Sequence, residues 1–430
     1  MNRPAATDVC LLTPGQPSNN PRLVKEADAL TEAGYTVQVL CVDCGLWPSQ
    51  TDSSVLAVRS WACKYVGGLV RSRPWMYRLT RWRQALGNRA MRWLSGPEML
   101  RTAAMLRVGP ELEAEALRHP AKLYIAHHVA ALSAAVKAAS KYGGSVGYDA
   151  EDFYTGMHTF GQPPALFERI AAEVERKYLR SCDYVTAASP AIADAYAEKY
   201  RIPPAVTVLN VFPLVQRPAA LRSGSARGPL RLYWFSQGIG GDRGLEDVVR
   251  AMGLLGDANI ELHLRGNWQA GYREQLYAVA RSAGANTARI VSHVPAPPDD
   301  MIRLAAEYDV GLALELPLEH NRTLCLTNKL FVYLLAGNAI IATRVKAQQS
   351  LMAKLGGAGW CYEPGDIETL AAGIRNWYRD RQSLESSRRT AWDWGERRYN
   401  WDVEKQTFLS LVEGAVSPMC SDRRSDCVAS

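Results

Sequence analysis

Apolar residues fall along this chain in short continuous runs, separated by stretches with helical spacing. Residues 9–12 (VCLL) form the first run, and Thr13-Pro14-Gly15 turns the chain. Positions 23–33 then carry apolar residues at the i, i+3, i+4 spacing of a helix, Gly34 stops it, and 37–42 (VQVLCV) is the second run. Strand, helix and strand joined by tight connections are the unit of a parallel sheet, whose ligands collect at the carboxyl ends of the strands. Further strands are predicted at 123–125, 146–148, 184–187 and 206–209, with helical stretches such as 130–141 between them. Residues 216–228 (QRPAALRSGSARG) have linker composition, and after them the pattern restarts. Strands at 230–235, 260–265, 289–292, 310–314 and 339–342, with a helix at 245–255, complete a second half. This alternation predicts an α/β protein with two Rossmann-like domains, residues 1–215 and 229–390. A helical segment follows at 391–416, and residues 417–430 read as a disordered tail.

Composition agrees. A chain of 430 residues exceeds one ordinary core and fits two domains of about 200 residues. Its 47% hydrophobic and 22% charged content excludes a disordered protein. No apolar run approaches the roughly 20 residues that span a bilayer, and residues 1–8 lack a signal-peptide stretch, so a cytoplasmic location is expected. Nine scattered cysteines read as reduced thiols. Cys41 and Cys44 form a C-x-x-C without a partner pair or nearby histidines, which favours strand-end packing over zinc or redox chemistry.

The net charge of +7 is unevenly spread: residues 53–97 hold nine basic residues and no acidic one. At about 100° per residue, Trp75, Leu79, Trp82, Leu86, Ala90 and Trp93 share one narrow stripe. Arg78, Arg81, Arg89 and Arg92 lie beside and behind it. Tryptophan with arginine is the composition of a helix resting on anionic lipid, which would make the protein peripheral on the inner membrane face. The competing reading packs the Trp stripe on the first domain and leaves the arginines solvated; Pro74 and Gly87 also argue against one long helix. No nucleic-acid-binding module is present, so nucleic acid is not an expected partner.

Two loops in the second half suit a diphosphate. Ser236-Gln237-Gly238-Ile239-Gly240-Gly241-Asp242-Arg243-Gly244 lets backbone N–H groups approach an anion, and Arg243 adds a charge at the start of a helix. It is neither a Walker A sequence nor a G-x-G-x-x-G fingerprint. Thr327 and Asn328 are good N-cap residues for the helix that follows, and Lys329 stands beside them. In the first half, His127 ends one predicted strand and Asp149-Ala150-Glu151-Asp152 follows another. Carboxylates there can hydrogen-bond sugar hydroxyls or assist an acceptor's deprotonation, or they can be a solvated acid cluster.

These segments, in this order, resemble the two-domain (GT-B) retaining glycosyltransferases of bacterial cell-surface glycan assembly, over nearly all of 9–416. The similarity is carried by NPRLVKEADALTEAGYTVQVL (20–40), YIAHH (124–128), WFSQGIGGDRGLEDVVRAM (234–252), NKLFVYLLAG (328–337) and RRYNWDVEKQTFLSLVEG (397–414). The resemblance implies two Rossmann-like domains facing a cleft, with the C-terminal helix crossing back to the first. It implies an enzyme that moves a sugar from a nucleotide-sugar donor to a glycan or lipid-linked acceptor. Arg243, Lys329, Thr327, Asn328, Gln237 and Gly238 would hold the donor, with Gly15 near its sugar. His127 would contact the reacting sugar with Glu151 beside it, and Asp149 and Asp152 would meet the acceptor. Such enzymes neutralise the diphosphate with helix dipoles and basic side chains, so neither metal nor cofactor is expected.

The sequence departs from that family at two places. The usual Glu-x7-Glu pair falls on Leu324 and Val332, which leaves Glu315 as a substitute carboxylate, and a phosphate-loop arginine is replaced by Gln237. Two alternatives therefore stand beside the transferase. One is a sugar-nucleotide epimerase of the same fold, using His127 with Glu151; the other is a catalytically degenerate scaffold of a glycan assembly complex.

Overall fold

The structure, a computed structural model, describes residues 7–43, 48–68, 73–92, 97–224 and 228–417. Cys44, Trp93 and residues 418–430 of the expected tail lie outside the described residues. The chain divides into two compact units, one of residues 1–158, 162–208 and 405–430, the other of 159–161 and 209–404.

The first unit is built on a seven-stranded sheet: β1 (Thr7–Thr13), β2 (Val37–Val42), β3 (Ala62–Val66), β4 (Ala121–His127), β5 (Ser145–Ala150), β6 (Tyr184–Ala187) and β7 (Val206–Thr207). Its order is β3-β2-β1-β4-β5-β6-β7, with every neighbouring pair parallel. The chain runs outward in both directions from β1 and β4, so the crevice at their carboxyl ends is the topological switch point. Val9, Leu11, Leu12, Leu123, Tyr124 and Ala126 are wholly buried. Burial on both faces by the connecting helices is why these strands read as unbroken apolar runs.

The second unit repeats the plan with six strands: β8 (Leu230–Ile239), β9 (Ile260–Trp268), β10 (Ile290–His293), β11 (Val310–Ala313), β12 (Ala339–Thr343) and β13 (Gly359–Tyr362). The order β10-β9-β8-β11-β12-β13 puts its switch point between β8 and β11.

Two strands escape the sequence pattern. Both β3 and β13 are sheet edges; β3 is mostly exposed and β13 mostly half-buried, so neither shows an apolar run. A third difference bears on chemistry. Strand β8 does not stop at Phe235 but continues through a bulge to Ile239, pairing Gly238 with Asn267 of β9. The glycine-rich turn therefore begins at Gly240, and Gln237 and Gly238 belong to the strand.

The basic Trp segment forms one continuous helix, Pro74–Arg92. Proline occupies its first position, where no intrahelical N–H is lost. Gly87 marks a contact rather than a break: a Cβ there would stand 2.5 Å from the Leu100 carbonyl oxygen of the next helix, Glu98–Met105.

From Lys405 onward the last helix, Trp401–Val416, belongs to the first unit, with Lys405 Nζ 3.6 Å from Glu32 Oε2 and both Phe408 and Val412 buried. Phe408→Ala is expected to cost about 3–5 kcal/mol of stability. Denaturant unfolding should show the loss, and a change under about 1 kcal/mol would contradict the burial.

Candidate active site

At the first switch point, the parallel register sets His127 of β4 beside Asp149 of β5. The helix Pro21–Glu32, which follows β1, adds Arg22 and Glu26 from one face, four residues apart. Arg22 donates through Nε and Nη2 to both oxygens of Asp149, at 2.6 and 2.7 Å, and through Nη1 to the Val208 carbonyl. Thr186 Oγ1 gives Asp149 a third donor at 2.6 Å. His127 Nε2 lies 3.1 Å from Glu26 Oε2, while Nδ1 lies 3.3 Å from both Asp149 Oδ2 and Glu151 Oε1.

Arg22, Glu26, His127 and Asp149 are all at most 2% exposed. Burial alone would pull the His127 imidazolium down, but Glu26, Asp149 and Glu151 outweigh it and hold its pKa well above the ordinary value. Burial likewise pushes Asp149 up, and Arg22 and His127 overcome this and keep it ionised. Burial raises the Glu26 carboxyl, which His127 and Arg22 only partly oppose. Three carboxylates face the imidazole and favour its protonated form. Glu26, His127 and Asp149 place ligand-type atoms within 4.8 Å of one another, yet Arg22 already supplies a cation to the same carboxylate.

This arrangement differs from the expected one. His127 was to meet a sugar and Asp149 an acceptor, but both side chains are sealed inside a charge cluster and neither has an open polar edge. Glu151, partly exposed, accepts from Asn20 Nδ2 at 2.7 Å and stands at the rim with the partly exposed Asp152. Gly15 is half-buried; its N–H donates to Thr13 Oγ1 at 3.2 Å and its carbonyl accepts from the Val42 N–H at 3.1 Å, so what it offers is space, since a Cβ there would meet only Thr13 Oγ1 at 3.9 Å.

The neighbouring histidine was not singled out. His128 is the N-cap of the helix Val129–Tyr142 and has φ of 76°, unusual for a residue with a side chain. Its Nδ1 accepts from the Ala130 N–H at 3.1 Å, so in the neutral ring Nε2 carries the proton. Burial lowers its pKa, Glu151 and Asp152 only partly offsetting this, and the ring rests 4.4 Å from that of Tyr154. The result is a partly exposed, neutral imidazole with a fixed N–H donor at the carboxyl end of β4.

At the second switch point, Gly244 is the N-cap of the helix Leu245–Leu255, with φ of 68°. A side chain there would stand 3.0 Å from Leu314 Cβ, so the turn that presents Arg243 accepts only glycine without strain. Thr327 is the N-cap of the helix Asn328–Ala336, and neither helix N-terminus is capped by a side chain. Lys329 is 8% exposed and donates to Glu315 Oε1 at 3.2 Å and to Thr327 Oγ1 at 3.4 Å, with its ammonium 5.5 Å from the centre of the Trp234 ring. Lys329 foremost, then Arg243 and Arg322, hold the Glu315 carboxyl below its usual range. Arg322, overlooked in the sequence, donates to the Asp242 carbonyl at 3.2 Å and joins this group. Asn328 is exposed, and Leu324 and Val332 are fully buried core residues.

Two parallel α/β units with these strand orders are the fold of GT-B glycosyltransferases. Solved structures that share it include Anabaena HepE in complex with UDP (14% identity, 95% of this chain and 100% of that one, TM-score 0.66). Sucrose-phosphate synthase from Thermosynechococcus elongatus is similar at 13% identity, over 95% and 98% of the chains, with a TM-score of 0.66. WaaG, a glycosyltransferase involved in lipopolysaccharide biosynthesis, is similar at 12% identity over 95% and 100%, with a TM-score of 0.60. No family model matches the chain, and no curated protein matches it.

His127→Gln removes one cation from among buried carboxylates, which costs about 3–5 kcal/mol, or on the order of 10 °C in melting temperature. Because the folded-state pKa is raised, this stabilisation is complete below the unfolded value of about 6.5 and is lost as pH rises through the folded one. The gap between wild type and variant should therefore be widest near pH 6 and narrow on the alkaline side. Equal melting temperatures across that range would show that His127 does not hold the cluster.

Proposed function

We propose that the chain is a nucleotide-sugar-dependent glycosyltransferase whose second unit binds the donor. The observation that carries this reading is the group at the second switch point. Lys329 pairs with Glu315, Arg243 and Arg322 act on the same carboxylate through space, and Arg243 and Lys329 stand at two helix starts without side-chain caps. A diphosphate needs such a seat: charge-assisted donors and helix dipoles neutralise it as it leaves, without a metal ion. Similar folds in structures that contain UDP and UDP-glucose support the donor class. Glu315, held by Lys329, keeps the ammonium in place until an anion competes for it. Thr327 and Asn328 offer first-turn N–H groups, and Gln237 and Gly238 line the bulged strand that leads into the turn.

In the first unit, His128 takes the sugar-contacting part expected of His127. Its Nε2–H is available to a hydroxyl, whereas both nitrogens of His127 face carboxylates. Glu151 and Asp152, at the same rim, are left for a glycan or lipid-linked acceptor, with Gly15 giving the donor sugar room. Retention of anomeric configuration and a part in cell-surface polysaccharide assembly, on the cytoplasmic side, complete the proposal. The epimerase alternative relied on His127 with Glu151; these lie 3.3 Å apart, but burial removes His127 from any ligand.

Incubating the purified chain with a panel of nucleotide sugars tests the reading, with release of nucleoside diphosphate as the readout. Turnover to an epimerised nucleotide sugar would support the epimerase, and no binding or turnover of any donor the scaffold. Arg243→Ala is expected to weaken nucleoside diphosphate binding at least about tenfold, since charged hydrogen bonds contribute about 1.5–3 kcal/mol. Calorimetry giving the wild-type affinity for this variant would remove Arg243 from the site. His128→Asn, which keeps a side-chain cap and tolerates the positive φ, is expected to lower the turnover rate with little change in melting temperature; full activity would return the sugar contact to another residue.

A further inference from the structure

The helix Pro74–Arg92 presents an apolar stripe that no described residue of its own unit covers. Trp75 is 66%, Leu79 52%, Trp82 67% and Leu86 41% exposed. The helix packs through a different face: Thr80, Gly87 and Met91 are its buried residues, and Gly87 abuts the helix Glu98–Met105. At about 100° per residue, that packed face lies roughly a third of a turn from the Trp stripe. The bland reading of the sequence, a stripe folded inward, is therefore overturned.

Charge then selects the occupant. Arg83 is engaged by Glu111, but Arg78, Arg81, Arg89 and Arg92 are exposed and, among the described residues, pair with no carboxylate. By the same angular count Arg78 and Arg89 lie beside the stripe, about 50–70° from its centre, while Arg81 and Arg92 lie further round on the same side, about 110–130° from it, with side chains long enough to reach back toward the surface. No acidic residue occurs from 53 to 97, so nothing in this segment repels an anionic surface. Large exposed indole rings beside unpaired guanidiniums are matched by a boundary that is apolar within and anionic at its face. Among the described residues no helix is long and apolar enough to cross a membrane.

We propose that this helix docks the protein flat on an anionic lipid surface. Trp75, Leu79, Trp82 and Leu86 enter the headgroup boundary, and Arg78, Arg81, Arg89 and Arg92 meet lipid phosphates. The contact is reversible and salt-sensitive, and it involves none of the residues assigned to donor binding, so it stands or falls apart from that assignment.

Sedimentation of the full chain with phosphatidylcholine vesicles, with and without phosphatidylglycerol, tests it. Binding is expected only to the anionic vesicles and should be largely lost at 1 M salt, where the Debye length is about 3 Å. Replacing Arg78, Arg81, Arg89 and Arg92 by Gln should lower partitioning about a hundredfold. Trp75→Ser with Trp82→Ser should lower it at least about tenfold, with an unchanged melting temperature because both side chains are exposed. Equal binding to both vesicle types, or no effect of either variant set, would overturn the proposal. So would self-association in solution that the Trp variants abolish while vesicles remain unbound. The wild-type comparison of lipids and salt decides the matter even if a variant fails to fold.

Discussion

Arg22, Glu26, His127 and Asp149 are buried together at the carboxyl end of a parallel sheet, where none of them can be left alone. A buried charge without a partner costs several kcal/mol, and here the guanidinium and the imidazolium are the partners of the carboxylates. This constraint fixes the first unit locally. It ties the helix after β1 to β5 through Arg22 and Asp149, ties β4 to both through His127, and reaches residue 208 through the Arg22 bond to its carbonyl. It also decides which groups remain for chemistry. With His127 and Asp149 consumed by the fold, the groups with open edges at this switch point are His128, Glu151 and Asp152.

The second unit solves the opposite problem. Its cations gather with only part of their charge compensated: Glu315 pairs with Lys329 and Glu319 with Arg322, while Glu315 acts on Arg243 only through space. On the proposed reading such a seat is organised before a ligand arrives: Gly244 shapes the turn, Glu315 and Thr327 orient Lys329, and two helix N-termini have no side-chain cap. Leu324 and Val332, the positions where the resemblance predicts a glutamate pair, are filled core sites. Under that reading, the nucleoside part of a donor is held by contacts other than that pair.

Much of the fold was legible because doubly buried strands are unbroken apolar runs; β2 and β6 appear where the pattern put them, to the residue. The edge strands β3 and β13 were not, since exposed or half-buried edges need no apolar pattern. The extension of β8 was hidden because Ser236, Gln237 and Gly238 resemble a loop and only cross-strand pairing with β9 makes them a strand. In the site, Arg243, Thr327 and Lys329 were legible from the chemistry of helix starts. His127 was misread because burial is a tertiary fact: two adjacent histidines look alike until the strand turns one inward and the helix start turns the other out. Arg22, four residues before Glu26 on an amphipathic helix, was the available signal that a buried ion-pair cluster existed.

On the proposed reading, a nucleoside diphosphate binds at the switch point of the second sheet. Amide hydrogen exchange, measured with and without UDP, GDP or ADP, tests it most directly. At least one of them should slow exchange at residues 240–247 and 328–331 and leave the first-unit residues 125–130 unchanged. Protection confined to the first unit, or none with any nucleoside diphosphate, would contradict it.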